Sequence, residues 1–143
     1  MKSLCLASAF SAALVLTSFA VTALNAQSQI AFSSDRTSRY QIFTVAIAQG
    51  SVPTQVTTGG AGSQVSSEPD WSPSGTLAYE FGAPGVRGIH TINPNGTGDI
   101  QITPPGSGSY PCTDDTEPAW SPDASYISLY LPEQWHLCHM ATQ

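Results

Sequence analysis

The heptapeptide Pro69-Asp70-Trp71-Ser72-Pro73-Ser74-Gly75 returns as Pro118-Ala119-Trp120-Ser121-Pro122-Asp123-Ala124, with the two tryptophans 49 residues apart. Self-similarity at that period marks a chain of stacked supersecondary units, each too small to bury its apolar face alone. The match extends beyond the heptapeptide. Thr76-Leu77-Ala78-Tyr79 follows the first copy, and Ser125-Tyr126-Ile127-Ser128-Leu129-Tyr130 follows the second. Ile30-Ala31-Phe32-Ser33-Ser34-Asp35-Arg36 occupies the same place near the start, without a Trp element before it. Gln41-Ile42-Phe43-Thr44-Val45 then matches Gly88-Ile89-His90-Thr91-Ile92, and Gln55-Val56-Thr57 matches Gln101-Ile102-Thr103. The unit is four short β-rich runs separated by Gly, Pro, Asn, Asp and Ser clusters. Phe43, Val45 and Ile47 alternate with Ile42 and Thr44, a period of two that predicts strands rather than helix.

The turns agree with this pattern. In Ser72-Pro73-Ser74-Gly75 the proline presets φ, and glycine accepts the positive φ that follows. Ser121-Pro122-Asp123-Ala124 puts alanine where glycine is easiest, at an expected cost of roughly 1 kcal/mol if the same left-handed residue is required. Asn93-Pro94-Asn95-Gly96 supplies a further hairpin signal through Asn-Gly.

Residues 1–26 read as a leader outside the fold. Lys2 opens an apolar run from Leu4 to Ala23, and Val21-Thr22-Ala23 or Leu24-Asn25-Ala26 offers a signal-peptidase site. Ser8, Ser11, Thr17 and Ser18 interrupt the run and no positive charge follows it closely, which favours secretion over a membrane anchor. Cys5 stands too early to be a lipidated first residue. Cleavage after Ala26 leaves 117 of the 143 residues, one small domain or a piece of a larger one.

In that mature part Arg36, Arg39 and Arg87 face ten carboxylates, a net charge of −7. Three scattered arginines and no basic stripe argue against nucleic acid as a partner. They also argue against attraction to an anionic membrane surface. Cys112 and Cys138 remain and could pair in an oxidising compartment, a bond worth about 3 kcal/mol where geometry allows.

Asp115-Thr116-Glu117-Pro118-Ala119-Trp120-Ser121-Pro122-Asp123 resembles the blade signature of TolB-type β-propellers. Ser34-Asp35-Arg36, closing an Ile-Ala-Phe strand, resembles the same family's next element. The resemblance spans residues 30–130 and implies an all-β fold of four-stranded antiparallel blades. The Trp strand would be innermost, the Ile42/Ile89 strand third and the Val56/Ile102 strand outermost. About two blades of an incomplete ring are expected over 27–130, short of the usual four to eight. Exposed blade faces should then make the isolated product aggregate or fold poorly. Family members serve as periplasmic or secreted binding platforms and as non-catalytic propellers of some serine peptidases, so the scaffold alone assigns no activity.

The repeated residues read as structural. Trp71 and Trp120 each bring roughly 150–250 Å² of buriable surface, best used between neighbouring blades. Glu68 and Glu117, both before proline, would line a central channel or meet backbone N–H groups at a strand start; the second is the expectation. His90 stands where the first repeat has Phe43, and reads as a half-buried filler rather than a ligand or base. Asp114, Asp115 and Glu117 could bind Ca²⁺, which takes six to eight oxygens, but a solvated acidic loop is the expectation. Asn95-Gly96-Thr97 matches a glycosylation sequon, which the Asn-Gly turn also explains.

Catalytic patterns are missing from the sequence. Gly106-Ser107-Gly108-Ser109 has the composition but not the spacing of a nucleophile elbow, and neither a zinc-protease motif nor a phosphate loop occurs. His136, Cys138 and His139 lack the fourth ligand a zinc site needs. No catalytic, metal or cofactor residue is therefore assigned. Two functions fit. One is a non-catalytic exported scaffold, periplasmic or secreted, binding a protein or glycan of the cell envelope, with no membrane insertion after leader removal. The alternative is the N-terminal propeller part of a prolyl-oligopeptidase-type serine peptidase.

Residues 131–143 break the pattern and read as the product of a one-nucleotide frameshift. Where a Ser-x-Arg turn and an Ile-Phe strand should follow Leu129, the chain gives Leu131-Pro132-Glu133-Gln134-Trp135-His136-Leu137-Cys138-His139-Met140. Back-translated and read one base later, this tail permits Thr-Ser-Arg-Asn-Ser-Gly-Thr-Phe-Ala-Ile-Trp-Gln, with Gly and Trp forced by the code. Cys138, His136 and His139 would then carry no chemistry, and Cys112 would lose its disulfide partner. Sequencing genomic DNA through this region should show further repeats in the shifted frame; an immediate stop there would end the idea. Mass spectrometry of exported material should find an N-terminus near Ala26/Gln27, and intact chain starting at Met1 in the cytosol would refute the leader.

Overall fold

The computed structural model describes residues 28–103 and 114–130. Every regular element among them is a strand, and no helix there is long and apolar enough to cross a membrane. β1 (Gln29–Ser34), β2 (Gln41–Ala46) and β3 (Thr54–Gln55) form the first sheet in that order. β4 (Val65–Trp71), β5 (Leu77–Gly82), β6 (Gly88–Ile92) and β7 (Ile100–Gln101) form the second. β8 (Thr116–Trp120) and β9 (Ile127–Tyr130) form a two-stranded third. All pairings are antiparallel and no sheet closes on itself.

The sequence repeat is a repeat of hydrogen bonds. In the first sheet Thr57 Oγ1 accepts the Ile42 N–H at 2.9 Å, the Val56 N–H donates to Ile42 O at 2.8 Å, and Gln55 Nε2 donates to Thr57 O at 2.7 Å. In the second, Thr103 Oγ1 accepts the Ile89 N–H at 2.8 Å, the Ile102 N–H donates to Ile89 O at 2.7 Å, and Gln101 Nε2 donates to Thr103 O at 2.8 Å. The threonine hydroxyl prolongs the ladder where the short outer strand runs out, so the inner strand's N–H stays satisfied. β1 pairs with β2 in the register that β5 keeps with β6: Ala31 lies opposite Thr44 as Ala78 lies opposite Thr91. Among the described residues the first sheet begins at β1, with no counterpart of the Trp-bearing β4.

Strand alternation gives each sheet two faces, and unlike faces meet. Leu77, Tyr79 and Ile92 of the second sheet pack with Ile42 and Val56 of the first, with Trp71, Phe81 and Ala31 at the margin. The opposite face of the second sheet presents Ala78 and Ile89 to Ile127 and Leu129 of the third, beside Trp120. Each tryptophan thus borders the seam between its own sheet and the preceding one. Ile42, Leu77 and Ile89 are fully buried, worth about 1.5–3 kcal/mol each over exposure.

Successive sheets are also tied by backbone. The Ser66 N–H donates to Tyr40 O at 2.9 Å, and the equivalent Asp115 N–H donates to Arg87 O at 3.0 Å. Asp70 Oδ2 adds a tie by accepting the Trp120 N–H at 2.6 Å.

The two Trp-Ser-Pro turns share a frame. Ser72 O accepts from Gly75 N at 3.0 Å, and Ser121 O from Ala124 N at 2.9 Å. The serine hydroxyls cap the returning strand, Ser72 Oγ at Thr76 N and Ser121 Oγ at Tyr126 N, both at 2.9 Å. The second turn holds one more residue, so Ile127 rather than Tyr126 falls opposite the tryptophan. Gly75 has φ +90°, and Ala124 does take the left-handed conformation, at φ +59°.

One expectation needs correction: Ile47 lies beyond the end of β2 and is 65% exposed. The Asn-Gly signal does fall in a hairpin, between the consecutive antiparallel strands β6 and β7. Asn93 O accepts from Gly96 N at 2.9 Å, and the connection runs on to β7 at Ile100.

Ala124→Gly should stabilise the chain by roughly 1 kcal/mol through relief of the left-handed strain, read as a higher urea midpoint. Gly75→Ala should cost a similar amount. An added Cβ there meets nothing within 4 Å, so backbone conformation alone sets the effect. Equal midpoints for both variants would show that the turns carry no strain.

Candidate functional site

Two polar clusters carry chemistry. The first lies where the second repeat departs from the first. Phe32, Phe43 and Pro53 of the first repeat become Tyr79, His90 and Asp99 of the second. In the first sheet Phe32 and Phe43 stack at 6.0 Å beneath the Arg36 guanidinium, which lies 5.2 and 4.6 Å from their centroids. In the second sheet Asp99 Oδ1 accepts from the Tyr79 hydroxyl at 2.9 Å and meets His90 Nδ1 at 3.1 Å. The His90 ring also contacts Tyr79 at 5.5 Å and the edge of Phe81 at 5.2 Å.

This arrangement orients an imidazole, because a carboxylate on Nδ1 fixes the ring and leaves Nε2 as the other functional nitrogen. Tyr79 is held protonated: burial raises its pKa, and the Asp99 charge and hydrogen bond raise it further. The phenol is therefore a donor and not a nucleophile. The Asp99 carboxylate satisfies the hydroxyl of Tyr79, which is buried in the seam between two sheets. His90 is half-buried, as its alignment with Phe43 suggests, with a carboxylate partner that the alignment does not reveal.

The second cluster joins the second and third sheets. Arg87 Nε and Nη2 donate to Asp114 Oδ1 and Oδ2 at 2.7 and 2.6 Å, Arg87 N donates to Asp114 Oδ1 at 3.0 Å, and Nη1 reaches Glu80 Oε1 at 3.2 Å. A fork-to-fork pair of this kind is among the stronger hydrogen-bonded arrangements available. It holds the Asp114 carboxyl below the usual range and raises the Arg87 pKa. Glu80 also accepts from Ser67 Oγ at 2.5 Å.

Beside this clamp Asp115 is 1% exposed, and its Oδ1 has no partner among the described residues. Burial raises its pKa; a hydrogen bond with Thr103 opposes the shift and the Asp114 charge adds to it. Its place follows from one substitution. In the first sheet Thr57 Oγ1 donates to Gln41 Oε1 at 2.7 Å, whereas Gly88 replaces that glutamine in the second. A Cβ on Gly88 would lie 3.1 Å from Thr103 O. With the glutamine gone, the Asp115 carboxyl takes the threonine hydroxyl in its stead.

The expected solvated acidic loop is therefore not what forms: Asp114 is occupied by Arg87 and Asp115 is buried. No group of three or more His, Cys, Asp or Glu side chains is arranged to hold a metal ion among the described residues. Glu68 sits mid-strand rather than at a strand start, and Glu117 is the second residue of its strand. They lie inside β4 and β8 at equivalent bulges, exposed, with φ +48° and +51°. Asn95 is exposed, and its Oδ1 accepts from Thr97 N and Oγ1 at 3.1 and 2.7 Å. Cys112, His136, Cys138, His139, the Gly106–Ser109 run and the leader lie outside the described residues.

The two aspartates should respond oppositely to pH. The folded pKa of Asp115 is raised, so its contribution is full below the ordinary carboxylate value and is lost as pH rises through the folded one. That of Asp114 is lowered, so its contribution is present above the ordinary value and is lost as pH falls through the folded one. At neutral pH Asp115→Asn should raise the urea midpoint, and Asp114→Asn should lower stability by about 2 kcal/mol. Both differences should shrink on acidification, and parallel shifts of the same sign would refute the assignment. The chain matches no protein-family model and no curated protein, so a reading of its function rests on this geometry and on the repeat.

Proposed function

We propose that the chain is an exported, non-catalytic scaffold built from TolB-like β-propeller repeats, with a protein or glycan of the cell envelope as its partner. The observation that carries this reading is the register-for-register recurrence of the Ile–Thr–Gln hydrogen-bond set and of the inter-sheet Ser66–Tyr40 and Asp115–Arg87 bonds. Tandem units joined in this way add surface with each repeat, and their recurring polar groups hold units together rather than converge on a reacting atom. The turns and bulges remain outside that framework. Glu68 and Glu117 are presented exposed at the same place in two successive units, giving a partner a repeated acidic feature.

The test is a binding measurement with full-length protein exported in its own leader-dependent form. Saturable co-sedimentation with purified peptidoglycan sacculi, or cross-linking to one envelope protein, is expected. Turnover of ester or Xaa-Pro amide substrates that disappears in His90→Ala would overturn the non-catalytic reading. Retention in the cytosol would overturn the envelope assignment.

A further inference from the structure

The three equivalent positions Ile30, Leu77 and Ile127 differ in one respect. β4 sets Trp71 opposite Leu77, and β8 sets Trp120 opposite Ile127. Leu77 and Ile127 are 0% and 3% exposed, whereas Ile30 is 53% exposed. The equivalence rests on pairing: Ile30 lies opposite Val45 as Leu77 lies opposite Ile92. β1 ends its sheet, and its far edge pairs with no described strand. That edge offers the backbone pattern that β5 offers β4 and β9 offers β8.

We propose that the edge of β1 that no described strand pairs takes up, in trans, an extended Glu-Pro-x-Trp strand from a separate polypeptide. Backbone pairing would supply affinity and the side-chain pockets specificity, as in other strand-addition complexes. The register places the incoming tryptophan opposite Ile30, on the face where Phe32 and Phe43 stack under Arg36. The two incoming serines pass alongside Ser34 and Ser33, as Ser66 and Ser67 pass Phe81 and Glu80, and the glutamate that follows falls at the bulge. Arg36 and Arg39, two of the three arginines beyond the leader, follow the end of β1 and suit an acidic strand. Both described strands of this chemistry are engaged, β4 with β5 and β8 with β9, and the added strand is assigned to a separate polypeptide. The inference follows from strand register and does not depend on the envelope-scaffold reading.

The experiment titrates a fluorescein-labelled peptide, Val-Ser-Ser-Glu-Pro-Asp-Trp, against the purified chain by anisotropy, with amide hydrogen exchange on the same samples. Saturable binding with new protection over Gln29–Ser34 is expected. Replacing the peptide tryptophan by alanine should weaken binding about tenfold or more. Ile30→Asp should weaken it similarly while leaving exchange in β4–β9 unchanged, which separates lost docking from lost folding. Equal affinity of the tryptophan-free peptide, or protection appearing elsewhere, would overturn the proposal. So would an absence of binding with β1 already protected; sedimentation velocity would then tell a second copy from the chain's own residues on that edge.

Discussion

A sheet of two to four short strands cannot stabilise itself in water, because one face always remains to be buried. Here that face is buried against the unlike face of the next sheet: Ile42 and Val56 against Leu77, Tyr79 and Ile92, then Ala78 and Ile89 against Ile127 and Leu129. Such a contact is directional, so it sets an order along the chain. The bonds from Ser66 to Tyr40 and from Asp115 to Arg87 then fix the rise from one sheet to the next. Lateral slip by one residue would reverse every strand's inward set, and these bonds oppose it.

What was legible in the sequence was local or periodic. The Trp-Ser-Pro turns, the short alternating strands and the left-handed demand at Ala124 all follow from residues adjacent in the chain, whose conformational preferences survive folding. The contacts that tie sheets together were not legible. Arg87 and Asp114 are 27 residues apart, and Asp70 and Trp120 are 50 apart; nothing local selects either pair. The signal that was available lay in the departures from the repeat. Phe32, Phe43 and Pro53 change together into Tyr79, His90 and Asp99, and the three polar groups meet in space.

The repeat also carries a cost that propensity alone would have removed. Glu68 and Glu117 adopt positive φ immediately before proline, a combination disfavoured by sterics on both counts. Each sits where its strand slips register against its neighbour. An extra residue at a bulge turns the strand and re-aims the side chains beyond it. That turn lets Trp71 and Trp120 reach the seam while the glutamates stay exposed. Strain of order 1–3 kcal/mol per site accompanies the partial burial of an indole at each seam.

The orphan oxygens mark the limits of this regularity. Ser66 Oγ and Asp115 Oδ1 occupy equivalent buried positions, and each lacks a partner among the described residues. A hydroxyl left unpaired there costs little more than its own desolvation, whereas a carboxylate costs considerably more if charged. The exchange of Gln41 for Gly88 explains how Asp115 gains Thr103, but it gives only one of two oxygens a partner. A protein tuned only for stability would use serine or asparagine there, as the first seam uses Ser66. The aspartate instead leaves the second seam dependent on protonation, beside an Arg87–Asp114 clamp that responds in the opposite sense. Acid and base thus act on one seam through two neighbouring carboxyls, while the equivalent positions of the first repeat, Gln41, Thr57 and Ser66, carry no titratable group.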